Sequence, residues 1–288
     1  MAGNFAELDR LKSDEIAIFK EEGRNKQKQL QIAAFTLRPD LAQGTIVAEG
    51  DSWFDYLPGT DIIDCLRRNH DYVVENYAKA GDTLENMIYG TGINKRFERV
   101  NRTIDILLRK LGELKPKIFL FSGGGNDVAG DEFESYLNHN ESGFPILRRD
   151  FVNHMINNVF RKYFEDLIQK VASVSRETHI LVHGYALTVP TGEGVDFLGF
   201  SFAGPWLRPA LARKGIFDFV KQRDTVFSLI DDYNNMLKEL AAAYSPRFHY
   251  IDLRTLIDPD RDWVNELHLR NSAYARVAQR IHGVIEST

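Results

Sequence analysis

The chain has a single cysteine, Cys65, among its 288 residues. One thiol cannot form an intrachain disulfide, and it cannot supply a cluster of thiolate ligands to a metal ion. Cys65 falls within a segment of helical periodicity, where we expect a small, buried, apolar residue. A fold built on disulfides or on a cysteine metal cluster is therefore excluded.

Long apolar runs and an excess of basic charge are also missing. No run of 18 apolar residues occurs that would predict a membrane span. Residues 1–23 are polar and charged and lack the apolar core of a secretory signal, so we expect a cytoplasmic protein. The net charge of −5 argues against a nucleic acid or an anionic membrane surface as the partner.

The hydrophobic pattern alternates between short β-branched runs and long amphipathic segments, which is typical of βαβ units with a parallel sheet. The predicted strands cover residues 45–49, 72–76, 117–122, 179–183 and 248–252. The predicted helices cover residues 4–28, 61–69, 83–89, 94–114, 148–175, 217–243 and 271–285. We therefore predict one α/β domain at residues 44–288, preceded by a helical extension at residues 1–43 that either packs on the domain or mediates dimerisation.

Two long connections, residues 130–145 and 185–215, interrupt this alternation. Connections of this length inside a compact domain are usually lids or binding loops. The second contains several aromatic residues, and we predict a lid-like insert at about residues 186–215, with Phe200 and Trp206 as candidate substrate contacts. The insert either walls an acyl pocket or simply covers the sheet.

Three predicted strands are each followed by a residue suited to catalysis. Ser52 follows the first strand, Gly81 the second and Asn126 the third. The carboxyl ends of parallel strands meet at one edge of a sheet, so we expect these residues to lie close together. Serine needs a neighbouring base to act as a nucleophile, and His268, just before the last helix, is the predicted base. His183, at the end of the fourth strand, is the rival, with a structural or a substrate-contacting role as its alternatives.

Acyl transfer passes through an oxyanion that hydrogen-bond donors must stabilise. The candidate donors are the backbone N–H groups of Ser52 and Gly81 and the side-chain amide of Asn126. The glycines at residues 123–125 lack the spacing of a dinucleotide fingerprint and of a P-loop, which argues against a nucleotide site. The three donors with Ser52 and His268 predict a serine hydrolase.

These segments resemble the four conserved blocks of the SGNH hydrolase superfamily, also called the GDSL lipase and esterase family. The matching segments are Gly-Asp-Ser-Trp-Phe at 50–54, Ala-Gly-Asp-Thr at 80–83, Gly-Gly-Asn-Asp at 124–127 and the segment that ends in His268. The resemblance implies a three-layer α/β/α, flavodoxin-like fold with a five-stranded parallel sheet. It also implies Ser52 as nucleophile, His268 as base, and an oxyanion hole formed by Ser52, Gly81 and Asn126. The expected substrate is a small-molecule ester, and no metal or organic cofactor is expected.

The sequence departs from the family at one position, where Asn265 replaces the aspartate three residues before the histidine. In a serine protease triad, changing the aspartate to asparagine costs ~10⁴ in turnover. Either a carbonyl oxygen of Asn265 orients His268, or a carboxylate of Asp262 or Glu266 does so. An esterase is the predicted function, with an acyltransferase using the same nucleophile or a catalytically weakened binding module as alternatives.

Overall fold

The computed structural model describes residues 44–56, 59–100, 102–197 and 200–288. The predicted helical extension at residues 1–43 lies outside the described residues. Seven strands occur in the described part of the chain. They are β1 (Thr45–Gly50), β2 (Val73–Asn76), β3 (Ile118–Ser122), β4 (His179–His183), β5 (Val195–Phe197), β6 (Phe200–Ala203) and β7 (Phe248–Ile251).

Nine α-helices separate these strands within the same ranges. They are α1 (Ile62–His70), α2 (Leu84–Tyr89), α3 (Thr103–Leu114), α4 (Gly125–Ala129), α5 (Arg149–His154), α6 (Arg161–Val174), α7 (Leu207–Arg213), α8 (Phe219–Ala243) and α9 (Asn271–Ser287). A π-helical segment, Met155–Phe160, joins α5 to α6, so the predicted helix at 148–175 is interrupted. Side-chain caps start several helices; for example, the Asp61 carboxylate accepts the N–H of Asp64 at the start of α1, at 2.8 Å.

Five strands form one parallel sheet, as the sequence predicted, and their order is β2-β1-β3-β4-β7. From β1 the chain passes first to β2 on one side and then to β3 on the other. Connections that leave in opposite directions open a crevice at the carboxyl ends of the two strands, which is where ligands bind in sheets of this kind. Gly50 and Ser122 are paired at that edge.

Helices cover both faces of the sheet and give the predicted three-layer α/β/α fold. Helices α1 and α9 pack on each other in one layer, and α6 packs on α3 and α8 in the other. Phe119, Leu120 and Phe121 of β3 have no exposed surface, as expected for a strand buried on both faces. Burying each such side chain stabilises the fold by roughly 1.5–3 kcal/mol.

The prediction of one helix at 94–114 is wrong over residues 94–102. The Oδ1 atom of Asn94 accepts the N–H groups of Arg96 at 2.8 Å and Glu98 at 3.1 Å. Asparagine side chains that bond to nearby backbone in this way compete with helix formation. Phe97 has a φ of 61°, and Ile93 pairs with Arg99 in an isolated antiparallel bridge. The helix consequently begins at Thr103.

Both predicted long connections contain secondary structure of their own. The first has two 3₁₀ helices, Asp131–Tyr136 and Asn140–Ser142. The insert at 186–215 contains the antiparallel pair β5 and β6, followed by α7. The side chain of Phe200 lies outside the described part of the structure.

Candidate active site

The turn that carries Ser52 is held in place by its neighbour Asp51. The Asp51 N–H donates to the Ser122 carbonyl at 3.1 Å. The carboxylate Oδ1 accepts from the Trp53 N–H at 3.0 Å and from the Ser122 hydroxyl at 2.9 Å, while the Tyr185 hydroxyl donates to Oδ2. Burial raises the pKa of Asp51 to about 6, and these donors oppose the shift. Asp51 therefore fixes the turn across the ends of β1 and β3.

The segment before α9 places an imidazole beside Ser52. The Nε2 atom of His268 lies 2.9 Å from the Ser52 Oγ. The indole Nε1 of Trp53 donates to the carbonyl of Leu267 at 3.0 Å, which ties the segment to the Ser52 turn. Two parts of the chain that are more than 200 residues apart in sequence thus meet at hydrogen-bond distance.

Asn265 determines which nitrogen of His268 can act as the base. Its Oδ1 atom accepts the backbone N–H groups of Leu267 at 3.0 Å and His268 at 2.9 Å, so this atom must be the oxygen and not the amide nitrogen. The same oxygen lies 3.1 Å from His268 Nδ1, which must then carry the proton. Nε2 is left as the acceptor that faces the Ser52 hydroxyl. Asn265 thereby selects the imidazole tautomer that the aspartate of a triad selects, but it supplies no negative charge.

The two carboxylates considered as alternatives bind other groups. Asp262 forms an ion pair with Arg276 and accepts the N–H of Asp258 at 2.8 Å. Glu266 is fully buried, and its two oxygens accept four backbone N–H groups from the insert. The donors are Gly192 (2.9 Å), Trp206 (2.7 Å), Leu207 (2.7 Å) and Arg208 (3.0 Å). Neither carboxylate hydrogen-bonds to His268; Glu266 instead joins the insert to the His268 segment.

His268 is 5% exposed, and burial lowers its pKa from 6.5 to about 3. The free site therefore contains a neutral imidazole, ready to accept a proton. The ring of Tyr56 stacks on that of His268, with ring centroids 4.0 Å apart. The ring of Trp206 lies farther from that of His268, with centroids 6.0 Å apart and an interplanar angle of 66°.

The segment after β2 lies next to the Ser52 turn and the Asn126 turn. Lys79 donates its N–H to the Gly50 carbonyl at 2.9 Å, and Asn126 Nδ2 donates to the Asp82 carbonyl at 2.8 Å. Gly81, between these contacts, has a φ of 81°, a conformation that glycine adopts without strain. Within the described residues, neither the Ser52 N–H nor the Gly81 N–H donates to another atom.

Asn126 is presented at the start of the short helix α4. Gly124 precedes it with a φ of 96°, and a Cβ there would lie 2.2 Å from the Tyr233 hydroxyl, so the tight turn requires glycine. Asp127, the next residue after Asn126, accepts the N–H of Leu84 at 3.0 Å, which joins this turn to α2. Burial raises the pKa of Asp127 to about 7.

A cleft opens over Ser52 and Asn126. It is narrow, with a volume of about 30 Å³. Its other walls are mainly apolar, formed by side chains that include Val128, Ala129, Ile230, Tyr233, Trp263 and Leu267. An apolar cleft with a few polar groups at one point is typical of a small-molecule site.

The structure does not bring His183 to this cleft. Its ring is fully buried and stacks on Trp53, with centroids 5.1 Å apart. Its Nδ1 pairs with the Gly184 carbonyl at 2.8 Å, and burial lowers its pKa to about 4. His183 thus lies behind the Ser52 turn, whereas Trp206 lies beside His268.

Sequence reasoning missed three residues of the site. No motif singles out Tyr185 or Trp263, and an aromatic residue near a strand end or in a loop is more often part of the core. Tyr56 has no periodic pattern around it, and only its position four residues after Ser52 could have drawn attention. Their roles depend on contacts between distant segments, which local sequence does not encode.

Two further features are absent from the described ranges. No group of three or more His, Cys, Asp or Glu side chains there is arranged to hold a metal ion. Across the same residues, no helix has both the length and the apolar character needed to cross a membrane.

Comparison with known proteins identifies the family. The sequence profile of the GDSL-like Lipase/Acylhydrolase family matches residues 48–276, and the chain belongs to this family. It is therefore a hydrolase that acts on ester bonds, which confirms the class predicted from the motifs.

Solved structures share the fold at low sequence identity. The lipase Lip_vut3 from a goat rumen metagenome has a TM-score of 0.53 and 12% identity, over 83% of this chain and 96% of that one. The extracellular lipase of Streptomyces rimosus has a TM-score of 0.50 and 14% identity, over 83% and 98%. No curated protein sequence matches the chain.

Proposed function

We propose that the protein hydrolyses carboxylic esters through an acyl-enzyme on Ser52, with His268 as the general base. The observation that carries this proposal is the 2.9 Å distance between Ser52 Oγ and His268 Nε2, with Nδ1 held by Asn265 Oδ1. A serine is activated when a neighbouring base accepts its proton and a third group orients that base. Asn265 is the orienting group in this arrangement.

The chemistry proceeds in two steps. Ser52 Oγ attacks the ester carbonyl while its proton passes to His268 Nε2, and the resulting imidazolium gives that proton to the departing alkoxide, which leaves as an alcohol. A water molecule then loses a proton to His268 and attacks the acyl-enzyme. The tetrahedral intermediate that results breaks down, releasing the carboxylic acid, and His268 returns the proton to Ser52 Oγ.

The N–H groups of Ser52 and Gly81 and the amide of Asn126 form the oxyanion hole in this proposal. One N–H of the Asn126 amide binds the Asp82 carbonyl, which orients the amide, and the other remains for the substrate. Fixed donors aimed at the developing charge are worth ~10²–10³ in rate each. The apolar walls of the cleft suit a hydrocarbon acyl group, so we propose esters of simple aliphatic acids as substrates.

Ser52→Ala tests the proposal, with Ser135→Ala as the matched control on the exposed surface. The first variant should lose p-nitrophenyl acetate hydrolysis by about 10⁴-fold or more, and the second should behave as the unaltered enzyme. A fluorophosphonate should attach to Ser52, located by peptide mapping. Undiminished hydrolysis in Ser52→Ala, or labelling at another residue, would contradict the proposal.

A further inference from the structure

Asn265 orients the imidazole of His268 but does not stabilise its protonated form. Its oxygen fixes the tautomer of His268, but a neutral amide does not compensate the positive charge that forms when Nε2 takes a proton. Burial already disfavours that charge, as the lowered pKa of His268 shows. A group beside the ring that favours the imidazolium would supply what the neutral amide does not.

The face of the His268 ring is covered by Tyr56. The two rings are nearly parallel, with an interplanar angle of 12° and centroids 4.0 Å apart. The face of an aromatic ring carries partial negative charge and attracts a cation within about 6 Å of its centroid. Burial raises the pKa of the Tyr56 hydroxyl, against a hydrogen bond with the Asn265 side chain that lowers it, so the phenol is neutral at ordinary pH.

The protein holds Tyr56 in this position from two sides. Its backbone N–H donates to the Asp61 carboxylate at 3.2 Å. Gly59 packs against the ring, and a Cβ at Gly59 would lie 2.4 Å from Cε1 of Tyr56. The stacked arrangement therefore depends on a glycine at this position.

Four carboxylates near His268 in sequence or on the Ser52 turn are Asp51, Asp55, Asp262 and Glu266. Arg270 follows His268 and donates to the Arg261 carbonyl at 3.0 Å, and Asp61 accepts the N–H groups of Tyr56 and Asp64. Asp51 is bound by Tyr185 and Ser122. Asp55 accepts the N–H of Ala80 at 3.1 Å. Asp262 is paired with Arg276, and Glu266 is surrounded by backbone N–H groups. None of the four hydrogen-bonds to the imidazole of His268.

We propose that Tyr56 is a positioning residue that acts through His268, its ring face stabilising the imidazolium where the family pattern has an aspartate. This inference rests on the proposed function, because it requires His268 to be the base for Ser52. A cation over an aromatic face is stabilised enough to change the rate by about 2- to 30-fold.

Replacing the ring gives the first test. Tyr56→Leu should lower kcat for p-nitrophenyl acetate by about 2- to 30-fold with a smaller change in KM, since the charge forms only during the reaction. Tyr56→Phe keeps the ring face and should rescue most of that loss. Equal losses in the two variants would overturn the proposal, because the hydroxyl or simple packing would then be responsible.

The second test measures the charge on His268 directly. In an Asn265→Asp background, the added carboxylate should raise the pH at which activity falls on acidification into an accessible range. Adding Tyr56→Leu should then move this fall to lower pH, while adding Tyr56→Phe should not. A pH profile that does not move would overturn the proposal, since a purely structural change lowers the rate without shifting the imidazole titration.

Gly59→Ala provides a variant that keeps Tyr56 but displaces its ring. It should lower kcat in the same direction as Tyr56→Leu, and unchanged kcat with a displaced ring would count against the role of stacking. Fluorophosphonate labelling at Ser52 in every variant separates the two proposals. Labelling at Ser52 with no effect of Tyr56 rejects only the role of Tyr56, whereas labelling elsewhere rejects the proposed function.

Discussion

Glu266 Oε2 accepts a 2.7 Å hydrogen bond from the backbone N–H of Trp206, which fastens the insert to the segment that carries His268. Three more N–H groups of the insert bind the same carboxylate. A buried carboxylate that accepts several backbone N–H groups is well satisfied without a cationic partner. The insert is therefore anchored on both sides of the β5–β6 pair to one residue, two positions before His268.

Glu266→Gln should destabilise the protein by roughly 2–5 kcal/mol, because the amide nitrogen faces N–H groups and leaves them without an acceptor. Urea unfolding should show the lower free energy of unfolding, and proteolysis within residues 192–206 should be faster. Glu193→Gln, an exposed change in the same insert, serves as the control. Equal stability of the two variants would contradict the anchoring role.

The activity of the protein should persist to unusually low pH. His268 must be neutral to accept the Ser52 proton, and burial lowers its pKa to about 3. Because a lowered pKa keeps the base neutral in more acidic solution, kcat/KM should stay nearly constant from pH 8 down to about pH 5. Circular dichroism at each pH checks that the fold persists. A kcat/KM that falls to half of its maximum near pH 6.5 would indicate that the pKa of His268 is not lowered.

Gly81→Ala should reduce activity by straining the backbone at residue 81, without a steric clash. A Cβ at Gly81 would meet no atom within 4 Å, so the change adds strain at φ 81° without a clash. Gly143 has a φ of 78° and equally open surroundings, but lies in a surface loop away from the cleft. Both alanine variants should lose about 1–2 kcal/mol of stability. Only Gly81→Ala should lower kcat, by ~10-fold or more, and equal kcat in both would exclude Gly81 from the oxyanion hole.

Two tryptophans allow the link between Ser52 and His268 to be tested. Trp53 Nε1 donates to Leu267, and Trp263 Nε1 donates to Leu187, each at 3.0 Å. Changing either to phenylalanine leaves a carbonyl without its donor and should cost about 1–3 kcal/mol. The kcat loss should be larger for Trp53→Phe, since Leu267 adjoins His268. A larger kcat loss for Trp263→Phe would show that the Trp53 bond does not align the site.

The buried carboxyl groups should make stability depend on pH. Burial raises the pKa of Asp127 from 3.8 to about 7, so the folded protein holds a proton that the unfolded chain releases. This contribution to stability is complete below pH 3.8 and is lost as the pH rises through about 7. Asp127→Asn imitates the protonated group, so its stability should fall less between pH 5 and 8, by roughly 1–4 kcal/mol. If urea unfolding showed the same decrease in the free energy of unfolding for both proteins between pH 5 and 8, the raised pKa of Asp127 would be contradicted.

The resemblance to the family anticipated the sheet, the layers and the class of enzyme. Local patterns placed all five strands of the main sheet, because a buried strand is a short apolar run that can be recognised without its partners. The helix at 94–114 was overextended because the side chain of Asn94 competes with the helix for backbone donors, and hydrophobic spacing does not register such a bond.

The question left open by Asn265 was decided by contacts. The sequence offered Asn265, Asp262 and Glu266 as partners for His268, and Asn265 Oδ1 is the one within 3.1 Å of Nδ1. The orientation of an amide depends on what surrounds it, and here two backbone N–H groups turn the oxygen toward the ring. In a serine protease triad, asparagine favours the wrong tautomer of the histidine. Here Asn265 holds the correct tautomer, so what it lacks relative to an aspartate is the negative charge.

By itself, the sequence determined the five strands of the main sheet, most of its helices and the edge of the sheet that carries the reactive residues, since these follow from periodicity along the chain and from strand direction. Only the tertiary structure decided that Tyr56 covers the face of His268, that Glu266 holds the insert and that His183 is buried behind Trp53. The physical reason is that these assignments depend on distances of 3–6 Å between segments that lie far apart along the chain or on separate turns, and on which polar groups are removed from water together.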